Sequence, residues 1–162
     1  MTNKPVLDPC CGSRKFYFDK NSSVVLFGDI RDESFVQCDD RVLNVSPDQK
    51  MDVTDLPFSD ETFSLVIYDP PHLVNLGQTS YMAQAYGVLP KDDPLGFIKA
   101  GFDECWRVLK PNGTLIFKWG AKDFKLPKVL RALGRTPLIG NRKPGVETYW
   151  MVFFKEIGND AN

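Results

Sequence analysis

Several features of common functional sites are scarce in this sequence of 162 residues. No hydrophobic run approaches the roughly 18 residues of a membrane-spanning helix, and the first residues lack the apolar region of a signal peptide. We therefore expect a cytoplasmic protein without membrane contact. His72 is the only histidine, which excludes a metal site built on several histidines, and we expect no metal. Cys10 and Cys11 are adjacent while Cys38 and Cys105 stand alone, so neither zinc-ligand spacing nor a disulfide scaffold is predicted.

The net charge of −1 conceals two oppositely charged segments. Residues 29–69 hold eleven acidic and three basic side chains, whereas residues 107–143 hold ten basic side chains and one acidic side chain. The first segment is suited to a cation and the second to an anion. The hydrophobic fraction of 43% and charged fraction of 25% are those of an ordinary globular protein. We predict one domain over residues 1–157 and a short polar tail over 158–162.

Short apolar runs alternate with helical patterns, which indicates an α/β fold with a parallel sheet. Strands are predicted at residues 6–8, 24–29, 63–68, 114–119 and 148–155, with a possible short strand near Leu138. A further strand lies either at residues 42–45 or nearer Met51. Helices are predicted at residues 94–109 and 124–133, and the first of them is expected to end in a turn at residues 110–113.

Acidic residues mark the ends of the predicted strands. Asp8, Asp29 and Asp69 each end a strand, and Asp52 follows the possible strand near Met51. In open α/β sheets, ligands bind beyond the carboxyl ends of the strands. Any one of these carboxylates has the alternative interpretation of a turn residue or helix cap. Together they indicate a site for hydroxyl groups, amines or a positively charged ligand.

Four segments at these strand ends, with a fifth before the strand at 114–119, resemble motifs of the class I S-adenosylmethionine (SAM)-dependent methyltransferases. They are Leu-Asp-Pro-Cys-Cys-Gly-Ser at 7–13, Phe-Gly-Asp-Ile at 27–30, Asp-Val-Thr-Asp-Leu-Pro-Phe at 52–58, Asp-Pro-Pro-His at 69–72 and Val-Leu-Lys-Pro-Asn-Gly-Thr-Leu at 108–115. The resemblance implies a single-domain Rossmann-like fold: a mostly parallel sheet of about seven strands with a C-terminal antiparallel hairpin. It also implies SAM as cofactor.

The resemblance also implies which residues bind SAM. Asp29 would accept hydrogen bonds from the ribose hydroxyls, Ile30 would lie against the adenine, and Asp52 would accept from the adenine amino group beside the Val53 backbone. The turn beside the amino-acid part of SAM would comprise Asp8, Pro9, Cys10, Cys11 and Gly12. The sequence departs from the family pattern at Cys10 and Arg14, where glycines are common, which affects the expected shape of this turn.

Asp69-Pro70-Pro71-His72 resembles the Asn/Asp-Pro-Pro-aromatic motif of the amino-methyltransferases. An amino group conjugated to a ring or carbonyl is a poor nucleophile, because its lone pair is delocalised. Asp69 and the Pro70 carbonyl can each accept one N–H bond and so direct the lone pair toward the methyl group. The two prolines stiffen the turn, and His72 offers a flat ring for stacking. The alternative interpretation is a rigid turn that only ends a strand.

The expected substrate is an amino group of a nucleobase in RNA or DNA, of the adenine N6 type. Predicted substrate-binding residues are His72, Tyr81, Tyr86 and Lys118, two of them in a long segment, residues 73–93, that would close over the substrate. The basic segment 107–143 would hold phosphates. Because no target-recognition region is present, we expect a protein partner to supply target recognition. The alternatives are a small-molecule or protein-glutamine methyltransferase, and a non-catalytic SAM-fold subunit.

Overall fold

The computed structural model describes residues 3–37, 40–77, 80–141, 145 and 147–158, so predictions involving Cys38, Arg142, Lys143 and residues 159–162 lie outside the described residues. The strands in this part of the chain are β1 (Val6–Asp8), β2 (Val25–Asp29), β3 (Glu33–Val36), β4 (Val42–Val45), β5 (Gln49–Lys50), β6 (Phe63–Tyr68), β7 (Leu109–Gly120), β8 (Ile139–Gly140) and β9 (Thr148–Phe154). The helices are α1 (Tyr81–Tyr86), α2 (Pro94–Val108) and α3 (Leu126–Leu133).

Seven strands form one sheet in the order β5-β2-β1-β6-β7-β9-β8. Strands β5, β2, β1, β6 and β7 are parallel, while β9 runs antiparallel to both β7 and β8. The predicted fold class, including the C-terminal antiparallel hairpin, is confirmed. Helix α3 begins two residues later than predicted and ends at Gly134, whose left-handed conformation (φ 69°) closes the helix.

The two positions considered for the third strand are both strands, but they belong to different sheets. β5 adds to the sheet beside β2, with Gly28 opposite Gln49. The segment at residues 42–45 is instead β4, which pairs with β3 in a separate antiparallel hairpin. Val36 and Val42 face each other across this hairpin and are largely exposed, at 72% and 60%. The predicted strand at 42–45 is therefore present, but it pairs with a local partner that the sequence did not reveal and is not part of the seven-stranded sheet.

The residues of the predicted turn at 110–113 lie within β7, at an irregular point of that strand. Helix α2 passes directly into β7 at Leu109. Asn112 adopts a left-handed conformation (φ 62°), and its backbone N–H donates to the Lys155 carbonyl oxygen at 2.6 Å. The register between β6 and β7 shifts near the same point. The turn-forming residues thus produce an irregular start of the strand, which β9 holds in place.

The main hydrophobic core lies on the face of the sheet that α2 covers. Alternate β7 residues Leu115, Phe117 and Trp119 are fully buried there, and Phe102 of α2 packs with them. The opposite face carries a smaller cluster formed by Cys11, Val25 and Phe27. Residues 9–24, which connect β1 to β2 beside this cluster, form turns and bends.

The helices in the described ranges are all too short or too polar to cross a membrane.

Candidate active site

The four aspartates identified at strand ends follow four adjacent strands of the sheet. The strand order β5-β2-β1-β6 places four aspartates side by side at the carboxyl ends of these strands. From β5 to β6 they are Asp52, Asp29, Asp8 and Asp69. Asp8 and Asp29 are buried, at 0% and 4% exposure. The sheet topology therefore produces the row of carboxylates that the sequence predicted.

Two adjacent cavities open at this edge. The β2-side cavity, of about 240 Å³, lies between the ends of β2, β5 and β6; the β7-side cavity, of about 230 Å³, lies between the β1–β2 loop, α1 and β7. They share four lining residues: Cys10, Arg31, Asp69 and Tyr86. Asp69 therefore stands where the two cavities meet.

Most of the predicted site residues line these cavities. The β2-side cavity contains Pro9, Cys10, Asp29, Ile30, Asp52, Val53 and Pro71. The β7-side cavity contains Cys10, Cys11, Gly12, Pro70, Tyr86 and Lys118. Three predicted residues, Asp8, His72 and Tyr81, are outside both linings.

The carboxylate of Asp69 is only half used by the protein. Its Oδ2 accepts a hydrogen bond from Lys118 Nζ at 2.6 Å, whereas its Oδ1 is buried and has no hydrogen-bond partner among the described residues. Burial raises the pKa of Asp69, and the Lys118 charge opposes that rise. Buried acceptors without partners are rare in folded proteins. Asp69 Oδ1 is therefore an unsatisfied acceptor on a residue that lines both cavities.

His72 lies on the other side of this carboxylate. Its Nε2 is 3.6 Å from Asp69 Oδ1, but burial lowers the His72 pKa to about 4, so the imidazole is neutral and the contact is no ion pair. The ring packs edge-on against Trp119 and directly over Gly120, where a Cβ would stand 2.9 Å from His72 Cδ2. The imidazole ring therefore contacts Asp69 but does not line either cavity. Its role in stacking stays a prediction.

Asp29 is saturated by contacts that the sequence did not predict. Its Oδ1 accepts from the backbone N–H and Nε of Arg31, both at 3.0 Å, and its Oδ2 accepts from Arg31 Nη2 at 3.1 Å and Gly12 N at 2.9 Å. Arg31 Nη1 also donates to the Gln84 carbonyl oxygen in α1 at 2.8 Å. The only sequence feature that could have indicated this pairing is Arg31 itself, a basic residue two positions after Asp29 in an acidic segment.

Asp8 accepts hydrogen bonds from two residues of the β1–β2 loop. Its Oδ1 accepts from Cys10 N at 3.1 Å and its Oδ2 from the Tyr17 hydroxyl at 2.8 Å. Burial, with smaller contributions from the charges of Asp69 and Asp29, raises the pKa of Asp8 to about 7. The loop turns through Gly12 (φ 49°) and Arg14 (φ 54°), so a non-glycine residue holds one of its left-handed positions.

Aromatic rings surround the cations of the β7-side cavity. Lys118 Nζ lies 5.7 Å from the Phe16 ring centroid, 6.0 Å from that of Tyr86 and 5.8 Å from that of Trp150. Lys15 contacts the Tyr81 hydroxyl and lies over the Tyr81 and Tyr86 rings, at 4.6 and 4.9 Å. Sequence reasoning identified Tyr81, Tyr86 and Lys118, but it missed Lys15, Phe16 and Trp150, which belong to no motif.

The basic residues in the described part of segment 107–143 are spread over both ends of the sheet. Arg107 pairs with Glu104 and Asp60 at the amino end of β6, opposite to Asp69. The Arg135 guanidinium lies over the Trp106 ring at 4.2 Å, in the same region. Lys118 is the member of the segment that lines the β7-side cavity.

Solved structures with the same fold include SAM-dependent methyltransferases. The PH0226 protein from Pyrococcus horikoshii has a TM-score of 0.58 and 16% identity over 93% of this chain and 81% of that one. A TehB-like SAM-dependent methyltransferase from Corynebacterium glutamicum has a TM-score of 0.54 and 16% identity, over 96% and 83%. No protein-family model and no curated protein matches the sequence significantly. The chain therefore has the SAM-dependent methyltransferase fold.

Proposed function

We propose that the chain is a SAM-dependent methyltransferase that methylates a planar amino nitrogen. One observation supports this most directly: Asp69 lines both cavities where they meet, and its buried Oδ1 has no hydrogen-bond partner among the described residues. A ligand that bridges both cavities places its reacting atoms beside this oxygen. A purely structural turn would leave that acceptor unsatisfied, at a cost of about 1–3 kcal/mol.

The residues of the β2-side cavity fit the adenosine part of SAM. Asp29 and Asp52 offer carboxylate oxygens for the ribose hydroxyls and the adenine amino group, and Ile30, which is 57% exposed, offers an apolar surface. Arg31 donates hydrogen bonds to both carboxylate oxygens of Asp29. We therefore infer that at least one of these bonds breaks when a ribose binds. The Cys10–Gly12 turn borders the β7-side cavity and would contact the amino-acid part.

Asp69, Pro70 and Lys118 would carry out the activation of the acceptor. SAM, when bound, supplies an activated methyl group, so positioning provides much of the catalysis. Lys118 fixes Asp69 Oδ2 and opposes protonation of the carboxylate, which leaves Oδ1 to accept one N–H of the substrate. The Pro70 carbonyl would accept the second. Neutral His72 adds no charge beside the acceptor nitrogen.

Within this function we propose a nucleobase of RNA or DNA as the substrate, of the adenine N6 type, with a protein partner that presents it. Phe16 and Tyr86 line the β7-side cavity and give a base two rings for stacking. At about 230 Å³ this cavity accommodates one planar group, so a base in a duplex has to be flipped out first. The same small volume favours a small-molecule amine as the second candidate.

The test of the proposed function uses labelled SAM with separate pools of RNA, DNA, protein and metabolites. We expect one pool to be labelled, and Asp69→Ala to lower the rate by about 100-fold or more, because a preorganised acceptor is lost. Asp103→Ala, an exposed aspartate on α2, is the matched control and keeps the rate. Unaltered turnover in Asp69→Ala would contradict the catalytic role of this turn.

The cofactor assignment has its own measurement. Calorimetry with S-adenosylhomocysteine (SAH) should show binding that Asp29→Ala weakens about tenfold or more, about 1.4 kcal/mol, because the ribose loses its acceptor. Asp69→Ala should bind SAH as the unmodified protein does. Equal SAH affinity in Asp29→Ala and the unmodified protein would remove Asp29 from the cofactor site.

A further inference from the structure

A third cavity adjoins the proposed active site. This loop–hairpin groove, of about 670 Å³, lies between residues 12–21 on one side and β4 with the segment after it, residues 42–48, on the other. Its lining includes Ser13, Lys15, Lys20, Asn21, Asn44 and Asp48. Gly12, Ser13 and Lys15 also line the β7-side cavity, so the groove continues from the place proposed for the acceptor base.

The groove's lining residues include one carboxylate, that of Asp48, and its charge is paired with Lys4 and Arg14. Asp48 accepts from Lys4 Nζ at 2.6 Å, from Arg14 Nη2 at 3.0 Å and from Phe27 N at 3.3 Å. Although partial burial opposes it, these donors lower the pKa of Asp48, which keeps the carboxylate charged. Asp48 therefore does not neutralise the other cations of the groove.

Two ammonium groups in the groove have no carboxylate partner among the described residues. Lys15 contacts the Tyr81 hydroxyl and two aromatic rings, and Lys20 is exposed and makes no ion pair. Ser13 Oγ, at the boundary with the β7-side cavity, is buried and has no hydrogen-bond partner in this part of the chain. With the amides of Asn21 and Asn44, the groove presents hydrogen-bond donors and net positive charge on a protein whose overall charge is −1.

We propose that the loop–hairpin groove binds a phosphate group of the substrate, while the base carrying the amino group occupies the β7-side cavity. This inference rests on the proposed function and specifies its substrate class: an amino-bearing base attached to a phosphate. Phosphate oxygens are bound in proteins by lysine, serine and asparagine side chains, and such contacts fix register without reading sequence. A free nucleotide and a nucleic-acid strand both supply this chemistry.

The position of Lys15 links the two parts of such a ligand. Its Nζ is 4.9 Å from the centroid of Tyr86, the ring that lines the β7-side cavity, and Lys118 approaches the same ring from the Asp69 side. A base stacked on Tyr86 thus has Asp69 near its amino group and Lys15 on the way to the groove. The proposal thus places phosphate recognition in the loop–hairpin groove, with its cations Lys15 and Lys20, and not in the basic segment 107–143.

The experiment compares three probes of increasing phosphate content: adenosine, adenosine monophosphate and a short oligodeoxyadenylate. Their affinities are measured by calorimetry with and without SAH. We expect at least one phosphorylated probe to bind about tenfold more tightly than adenosine, and Lys15→Gln/Lys20→Gln to remove that difference. If the oligomer binds, its salt dependence should weaken in this variant by about one to two units of slope. Lys110→Gln/Lys128→Gln, with the same charge change at exposed positions, is the matched control.

Each outcome has a definite meaning. Preference for the monophosphate alone identifies a free nucleotide, and preference for the oligomer alone identifies a strand. Equal affinity for adenosine and both phosphorylated probes, no binding of any probe, no loss in Lys15→Gln/Lys20→Gln, or an equal loss in the control overturns the inference. Failure of SAH to bind would contradict the proposed function instead, and the measurements without SAH test the groove separately.

Discussion

Three aspartates that end neighbouring strands have three different environments. Asp69 has one oxygen without a partner in the described part of the chain, both oxygens of Asp29 accept from Arg31 or Gly12, and Asp8 is buried against Tyr17. Under the proposed function, these partners make Asp69 the acceptor for the substrate and require Asp29 to release a bond to Arg31, while Asp8 supports the loop and titrates near pH 7. The shared strand-end pattern locates the residues, whereas the neighbours determine what each carboxylate can do.

Asp8 gives a pH dependence of stability with a definite sign. Burial raises its pKa from 3.8 to about 7, so between these values the folded protein holds a proton that the unfolded chain has lost. Stability from this group is therefore present below about pH 4 and lost as the pH rises toward 7. Urea unfolding should show the free energy of the unmodified protein falling about 2–3 kcal/mol more between pH 5 and pH 8 than that of Asp8→Asn.

The exposed Asp92→Asn serves as the control for this comparison and should follow the unmodified protein. Parallel pH profiles for Asp8→Asn and the unmodified protein would show that Asp8 titrates near its ordinary value.

At the scale of elements, Gln84 holds α1 to the carboxyl end of the sheet through its backbone carbonyl and its side chain. Arg31 donates to the Gln84 carbonyl oxygen at 2.8 Å, and Gln37 Nε2 donates to Gln84 Oε1 at 3.0 Å. Ser80 caps the six-residue helix by accepting from Ala83 N, and Gly87 (φ 76°) ends it. Arg31 also donates to Asp29. A ribose bound to Asp29 would therefore disturb the same arginine that contacts α1.

Arg31→Met should loosen α1 without unfolding the sheet. A hydrogen bond from a charged group contributes about 1.5–3 kcal/mol, so we expect amide exchange over Tyr81–Tyr86 to accelerate about tenfold or more. Hydrogen–deuterium exchange detected by mass spectrometry measures this change. Lys99→Met removes a surface charge from α2 and should leave exchange in α1 unaltered. Equal exchange in Arg31→Met and Lys99→Met would show that Arg31 does not fasten the helix.

The sequence predicted elements with a strong hydrophobic pattern better than elements that depend on a particular partner, for a physical reason. Helix α2 and strand β6 follow from hydrophobic patterns that bury a whole face, and both are found within a residue of the prediction. β5 has two residues, and the β3–β4 hairpin depends on pairing across residues 37–41. Local patterns do not specify such partners. The same holds for the site: Asp69 lies in a motif, whereas Phe16 and Trp150 join it only through folding.

For the molecule as a whole, packing is concentrated on the face of the sheet beneath α2. Phe102 is fully buried there, and its ring contacts those of Trp106, Phe117 and Phe153. Phe18, in the β1–β2 connection over the other face, is fully exposed. Stability should therefore depend strongly on the first face and weakly on exposed apolar residues of the second.

Two identical substitutions test this asymmetry. Phe102→Ala should lower the free energy of unfolding by about 3–5 kcal/mol, because a cavity replaces a buried ring. Phe18→Ala should change it by less than about 0.5 kcal/mol. Urea denaturation monitored by circular dichroism measures both. Similar losses in the two variants would mean that the connection at residues 9–24 contributes to the fold as much as the core does.

The aromatic residues around Lys118 also make the proposed acceptor cavity visible to optical spectroscopy. Trp150 is 37% exposed, stands edge-on to Phe16 at 5.4 Å and lies 5.8 Å from Lys118 Nζ, whereas Trp119 is buried in the core and Trp106 lies toward the opposite end of β6. Indole emission depends on nearby charges and on stacking. A planar ligand that displaces Lys118 or stacks beside Phe16 would change the emission of Trp150, so the protein contains a natural fluorophore for screening unlabelled candidate substrates.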